Sequence, residues 1–153
     1  MKFLIAIVFS VILLQGVYAQ PAGAAKSAPE RAFSTASLIA DLKFLSSDAL
    51  GGRGVASPGG DAARKYMEKR FRESGIKPFA GGYLQTFEFE GRSKTKIPAV
   101  NVVGFIEGSA QKDRYVVVSA HYDHVGTEKN EIYNGADDNA SGAAALMAIA
   151  AYL

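Results

Sequence analysis

Apolar residues at Leu38, Leu42 and Leu45, with Ile39 and Phe44 beside them, have the spacing of an amphipathic helix and predict one over 37–46. Ser57-Pro58 then offers an N-cap and a first-turn proline. Ala63, Met67, Arg70, Phe71 and Ser74 follow at helical spacing before Gly75, which predicts a second helix with a core-facing aromatic and Met stripe. Between the two lies Leu50-Gly51-Gly52-Arg53-Gly54, whose glycines permit unusual backbone angles and predict a loop. It lacks the spacing and the Lys-Ser/Thr ending of a phosphate-binding loop.

The period then changes. Tyr83, Gln85, Phe87 and Phe89 alternate onto one side, and Ala99–Ile106 and Tyr115–Ala120 are short Val-rich runs, so three strands are expected. The last is apolar on both alternating faces, as a central strand covered by helices on both sides would be. A polar loop is expected from Thr127 to Asn134, and a buried helix over the Ala-, Leu-, Met- and Ile-rich run Ala143–Leu153. That run ends without a cap or polar tail, which reads as a fragment or a truncated gene model.

The amino terminus has a different character. Lys2 precedes an apolar run, Phe3–Leu14, too short to span a bilayer comfortably, and Val17-Tyr18-Ala19 places small residues where a signal peptidase reads. The organisation expected is therefore a signal peptide at 1–19, a flexible mature N-terminus at 20–36 rich in Ala, Pro, Gly and Ser, and a globular portion at 37–153. Cleavage before Gln20 implies a secreted or periplasmic protein with no stable membrane anchor, the alternative being an uncleaved anchor.

Composition narrows the chemistry. A 48% hydrophobic and 21% charged chain is that of an ordinary folded domain. Loss of Lys2 leaves 16 basic against 15 acidic residues, too balanced for a nucleic-acid binder. The basic stretch Lys65–Arg72 falls on the second predicted helix and reads as its solvated face. With no cysteine there is neither a disulfide nor a thiolate ligand, so any metal must be held by His and carboxylate groups.

Two segments carry such groups. His121-Tyr122-Asp123-His124-Val125-Gly126 follows the third predicted strand, and ligands of open α/β sheets bind beyond the carboxyl ends of strands. If the backbone stays extended, His121 and Asp123 share one side, which suits a metal-bound imidazole oriented by a carboxylate; a plain strand end followed by a turn would have the same residues. Gly135-Ala136-Asp137-Asp138-Asn139-Ala140-Ser141-Gly142 precedes the last helix, where a carboxylate could reach the same crevice or simply cap the helix.

Together, and in this order, the two segments resemble the co-catalytic zinc aminopeptidase family, which includes secreted bacterial leucine aminopeptidases, glutamate carboxypeptidase and glutaminyl cyclase. Leu50–Gly54 and Asn101-Val102-Val103-Gly104 add weaker similarity. The resemblance implies an incomplete α/β fold of three layers, with a mixed, largely parallel central sheet flanked by helices. It implies His121 as ligand of one zinc, Asp138 as the carboxylate bridging two zinc ions, and Asp123 as the catalytic partner orienting His121. Asp137 is the neighbouring choice for the bridge, and His124 is left as a surface or supporting residue. A cis peptide after Asp138 is also implied. The expected activity is aminopeptidase hydrolysis of peptide or protein substrates, with a carboxypeptidase or a non-catalytic binding relative as alternatives. The family's general-base Glu, its adjacent Glu ligand, a further carboxylate ligand and a final His have no counterpart here, because no Glu follows Glu131 and no His follows His124. The sequon Asn139-Ala140-Ser141 lies too close to the expected bridge to carry a glycan without obstructing it.

Overall fold

The computed structural model describes residues 33–91 and 93–153. The expected signal peptide and most of the flexible N-terminus lie outside the described residues. Helix α1 is Thr35–Leu45, α2 is Pro58–Glu73 and α3 is Ser141–Tyr152, with a 3-10 turn at Asp48–Arg53 between α1 and α2. The strands are short: β1 Lys77–Pro78, β2 Leu84–Glu90, β3 Lys96–Val102, β4 Gly104–Phe105, β5 Gly126–Glu128 and β6 Glu131–Tyr133.

The helices begin where side chains can satisfy the free amides of a first turn. Ser34 accepts from the Ser37 amide at 3.1 Å and Ser57 from the Gly60 amide at 3.1 Å. Past α2, Gly75 takes a left-handed φ of 73°. Most of the basic stretch on α2 does face solvent, where Arg72 pairs with Glu68 at 2.7 Å and Lys69 with Glu73 at 3.4 Å. Arg70 instead turns inward, its Nε 2.9 Å from the buried carboxylate of Asp41 on α1.

The core gathers Leu45, Leu50, Ala63, Met67, Phe71, Ile76, Tyr83, Ala140, Ala143 and Met147. The Met and Phe stripe of α2 thus meets one face of α3 through Met147, and Phe44 stacks on Tyr66 with centroids 4.0 Å apart. Helix α3 buries that face alone: Ile149, Tyr152 and Leu153 are exposed, so the continuous burial expected of this run is not observed.

The sheet is where sequence and structure part. The three strand pairs, β1 with β4, β2 with β3, and β5 with β6, are all antiparallel, so the described residues form mixed helices with small antiparallel sheets. This is consistent with part of an α/β fold. The largely parallel central sheet is not formed among them. Tyr115–Ala120, expected as its central strand, has no ladder partner among the described residues, and Tyr115, Val116 and Val117 are 81%, 93% and 85% exposed. A strand exists only through the neighbours that pair its amides and carbonyls, and no described segment pairs with this one. The alternating face of β2 is likewise uncovered, with Phe87 and Phe89 exposed opposite Ala99 and Ile97.

The segment expected as a polar loop contains the β5–β6 hairpin, turned by Lys129 and Asn130 at φ of 49° and 66°. No helix among the described residues is long and apolar enough to cross a membrane.

Candidate metal centre

The turn after α1 brings the two acidic and imidazole segments together. Gly51, Gly52 and Arg53 all have left-handed φ, of 49°, 73° and 51°. At Gly52 a side chain is excluded on two counts, since a Cβ would also lie 2.6 Å from the Tyr133 carbonyl oxygen and collide with that of Gly126. The backbone is thereby pressed against the β5–β6 hairpin, and further ties run from Asn134 Nδ2 to Asp48 Oδ1 at 2.6 Å and from Thr127 Oγ1 to the Gly51 carbonyl at 3.3 Å.

Arg53 itself is fully buried. Its Nε donates to the Tyr122 carbonyl at 2.7 Å, Nη1 to the carbonyls of Leu45 and, at 2.6 Å, Asn134, and Nη2 to that of Gly135 at 2.9 Å. The Arg53 carbonyl in turn accepts from the His124 amide at 3.2 Å. Burial pushes the guanidinium down from its ordinary pKa, and the charges of Asp123 and Asp138 push it back up.

Nε2 of His121 stands 3.1 Å from Oδ1 of Asp138. On the other side of the ring, Nδ1 lies 3.0 Å from the Asp123 carbonyl oxygen and 3.7 Å from Oδ1 of its carboxylate. Asp123 therefore shares a side with His121, but the close partner of Nδ1 is its backbone rather than its side chain. Such a carbonyl fixes the tautomer as a carboxylate would, leaving Nε2 as the ring's free lone pair. His124 approaches the opposite oxygen of Asp138, with Nδ1 at 3.7 Å from Oδ2; its side chain is only 16% exposed, against 53% for His121. Tyr122, between the two histidines, packs inward with its hydroxyl donating to the Val100 carbonyl at 2.7 Å, and burial raises its pKa.

The helix-capping role open to the Asp-Asp-Asn run falls to Asn139, whose Oδ1 accepts from the Gly142 amide at 3.1 Å. That leaves the Asp138 carboxylate turned towards the imidazoles and 70% exposed, while Asp137 is exposed and engages Ser141 Oγ through its backbone carbonyl at 3.0 Å. The peptide between Asp138 and Asn139 is cis.

Comparison with known protein families places this geometry in context. Residues 101–153 match peptidase family M28. The match includes His121, Asp123, His124 and Asp138, and it supports the resemblance to co-catalytic zinc aminopeptidases and carboxypeptidases drawn from the two motifs. The match points to a hydrolase of metallopeptidase type. No curated protein matches the chain.

M28 peptidases are generally zinc-dependent, and the donors present suit that ion. Two donors each about 2.0–2.1 Å from a tetrahedral zinc lie about 3.3 Å apart. The His121–Asp138 separation of 3.1 Å is close to that, and one imidazole nitrogen with one carboxylate oxygen is zinc chemistry. Yet no group of three or more metal-ligating side chains converges among the described residues, so the fit is that of a partial ligand set.

The residue that the sequence did not point to is Arg53. Its one signal was position, an arginine in a glycine-rich loop with a weak resemblance to the family.

Proposed function

We propose that this chain is the amino-terminal part of an exported zinc-dependent aminopeptidase that hydrolyses N-terminal peptide bonds, with His121 and Asp138 as metal ligands and Asp123 as the partner of His121. The observation that carries the reading is the 3.1 Å approach of His121 Nε2 to Asp138 Oδ1, between two segments that fold together from either side of a hairpin.

In this reading His121 offers Nε2 because Asp123 holds Nδ1. Asp138 offers Oδ1 beside His121, while Oδ2 faces the other way, towards His124, so it is the residue that would be shared if a second ion were held. A pair of zinc ions, when bound, supplies Lewis-acid polarisation of the scissile carbonyl and lowers the pKa of the attacking water. The exposure of Asp138 leaves the site open to a peptide. No Glu follows Glu131 to serve as the family's general base, so the 153-residue chain by itself should hydrolyse little or nothing. The apolar segment 1–19 would direct export.

Zinc titration of the chain by calorimetry, with His121→Ala and Asp138→Asn alongside, tests the site. Weak binding lost in both variants is expected, and binding indifferent to both would overturn the assignment. The substrate class is tested on the reading frame continued past Leu153, where a Glu-Glu pair, a later Asp or Glu and a final His are expected. Cleavage of free-amino aminoacyl reporters but not N-blocked peptides then marks an aminopeptidase, and the reverse a carboxypeptidase.

A further inference from the structure

A guanidinium taken wholly out of water must find acceptors for its protons, and a carboxylate is the usual one. Arg53 has no carboxylate within ion-pair distance among the described residues. It directs its fork at backbone carbonyls instead, those of Leu45, Tyr122, Asn134 and Gly135. Those carbonyls belong to separate stretches of chain: the end of α1, the segment carrying His121, and the residues leading into Asp138. Neither of the last two is held in a β-ladder at these points.

We propose that Arg53 is the positioning residue of the metal centre, fastening the His121 segment to the Asp138 segment through their backbone carbonyls. The proposal rests on reading His121 and Asp138 as ligands. Several features support it. Tyr122 is the immediate neighbour of His121, so the 2.7 Å bond to its carbonyl limits how that imidazole can move. Bonds to Asn134 and Gly135 do the same for the turn that presents Asp138, and the Arg53 carbonyl closes a second link through the His124 amide. The fork is also specific to arginine: five N–H groups in one plane span carbonyls from several segments, whereas a lysine ammonium is a single point with three donors. The left-handed backbone at Arg53, between two glycines, turns the chain so that this side chain enters the interior.

The test compares the full chain with Arg53→Lys and Arg53→Gly by amide hydrogen exchange and by Co2+ titration followed through the paramagnetic shift of the His121 ring resonances. Expected is a selective loss of protection at 121–124 and 134–139 with α2 still protected. Co2+ affinity should fall about 10-fold or more, the usual effect of losing a group that orients a ligand. Millimolar guanidinium should restore part of both in Arg53→Gly. Folded variants with unchanged exchange and unchanged Co2+ affinity would overturn the proposal. Should both variants fail to fold, exchange of the Arg53 Nε–H in the unaltered chain decides: a slow proton, slowed further by Co2+, supports the clamp, and exchange as fast as that of the exposed Arg72 refutes it. An unaltered chain in which Co2+ leaves His121 unshifted removes the metal reading, while the exchange arm still judges the fastening of the two segments.

Discussion

Asp138 turns one carboxylate oxygen to each of two histidines, Oδ1 to His121 Nε2 at 3.1 Å and Oδ2 to His124 Nδ1 at 3.7 Å. The next acidic residue back, Asp137, is exposed and joins its own helix through its backbone. Substitution should therefore separate the two acids sharply. Asp138→Asn is expected to weaken Co2+ or Zn2+ binding by about 10-fold or more, since an anionic ligand is lost. Asp137→Asn should leave it within about 2-fold. Metal titration of the two variants under identical conditions is the check, and equal losses would move the bridge assignment to Asp137.

Gly52 combines a left-handed φ of 73° with backbone oxygens where a Cβ would sit. Gly52→Ala should cost about 2–3 kcal/mol or more of folding stability, from backbone strain and the displaced hairpin. Urea denaturation read by circular dichroism measures this. A loss below about 0.5 kcal/mol would mean that the turn and hairpin are not pressed together as described.

Tyr66 donates its hydroxyl proton to Asp41 Oδ1 at 2.6 Å, and Asp41 is only 2% exposed. Burial first, then this bond to a carboxylate, push the tyrosine pKa up to about 12. A folded-state pKa raised above its value in the unfolded chain, about 10, adds stability that is complete below pH 10. That contribution fades as the pH rises towards 12. Urea midpoints of the unaltered chain should therefore fall between pH 10 and 12 more steeply than those of Tyr66→Phe. Parallel pH profiles would show that the phenol is not protected by Asp41.

Met147 is 2% exposed and belongs to the cluster that joins α3 to α2. Met147→Ala should destabilise the chain by about 2–4 kcal/mol, the sum of lost burial and a residual cavity. The metal titration of the folded fraction should not change, because Met147 lies on the helix beyond the ligand segment. Thermal unfolding together with Co2+ titration tests both halves.

The helices were legible because their signals are local. Ser57-Pro58 and Gly75 sit within a few residues of the turns they begin and end, and the Met67–Phe71 stripe needs only its own spacing to be recognised. The sheet was not legible in the same way. Tyr115–Ala120 is as Val-rich as a central strand should be, yet it stands exposed, because strand character in a sequence says nothing of which neighbour will pair with it. The β5–β6 hairpin went unseen for the opposite reason: Lys129-Asn130 lacks the glycine that marks such turns, and pairing between the flanking residues supplies the left-handed geometry instead.

The candidate metal centre divides along the same line. By itself the sequence determined the types of candidate donor, their order along the chain, and the loop before the helix on which Asp138 is carried, since these depend on residue identity and short-range spacing. Only the tertiary structure decided that Asn139 caps the helix while Asp138 faces His121, and that the Asp123 carbonyl rather than its carboxylate lies closest to Nδ1. It alone revealed Arg53. Every bond made by that guanidinium ends on a backbone carbonyl, a group all residues possess, so no side-chain pattern could announce it until the chain had brought those carbonyls together.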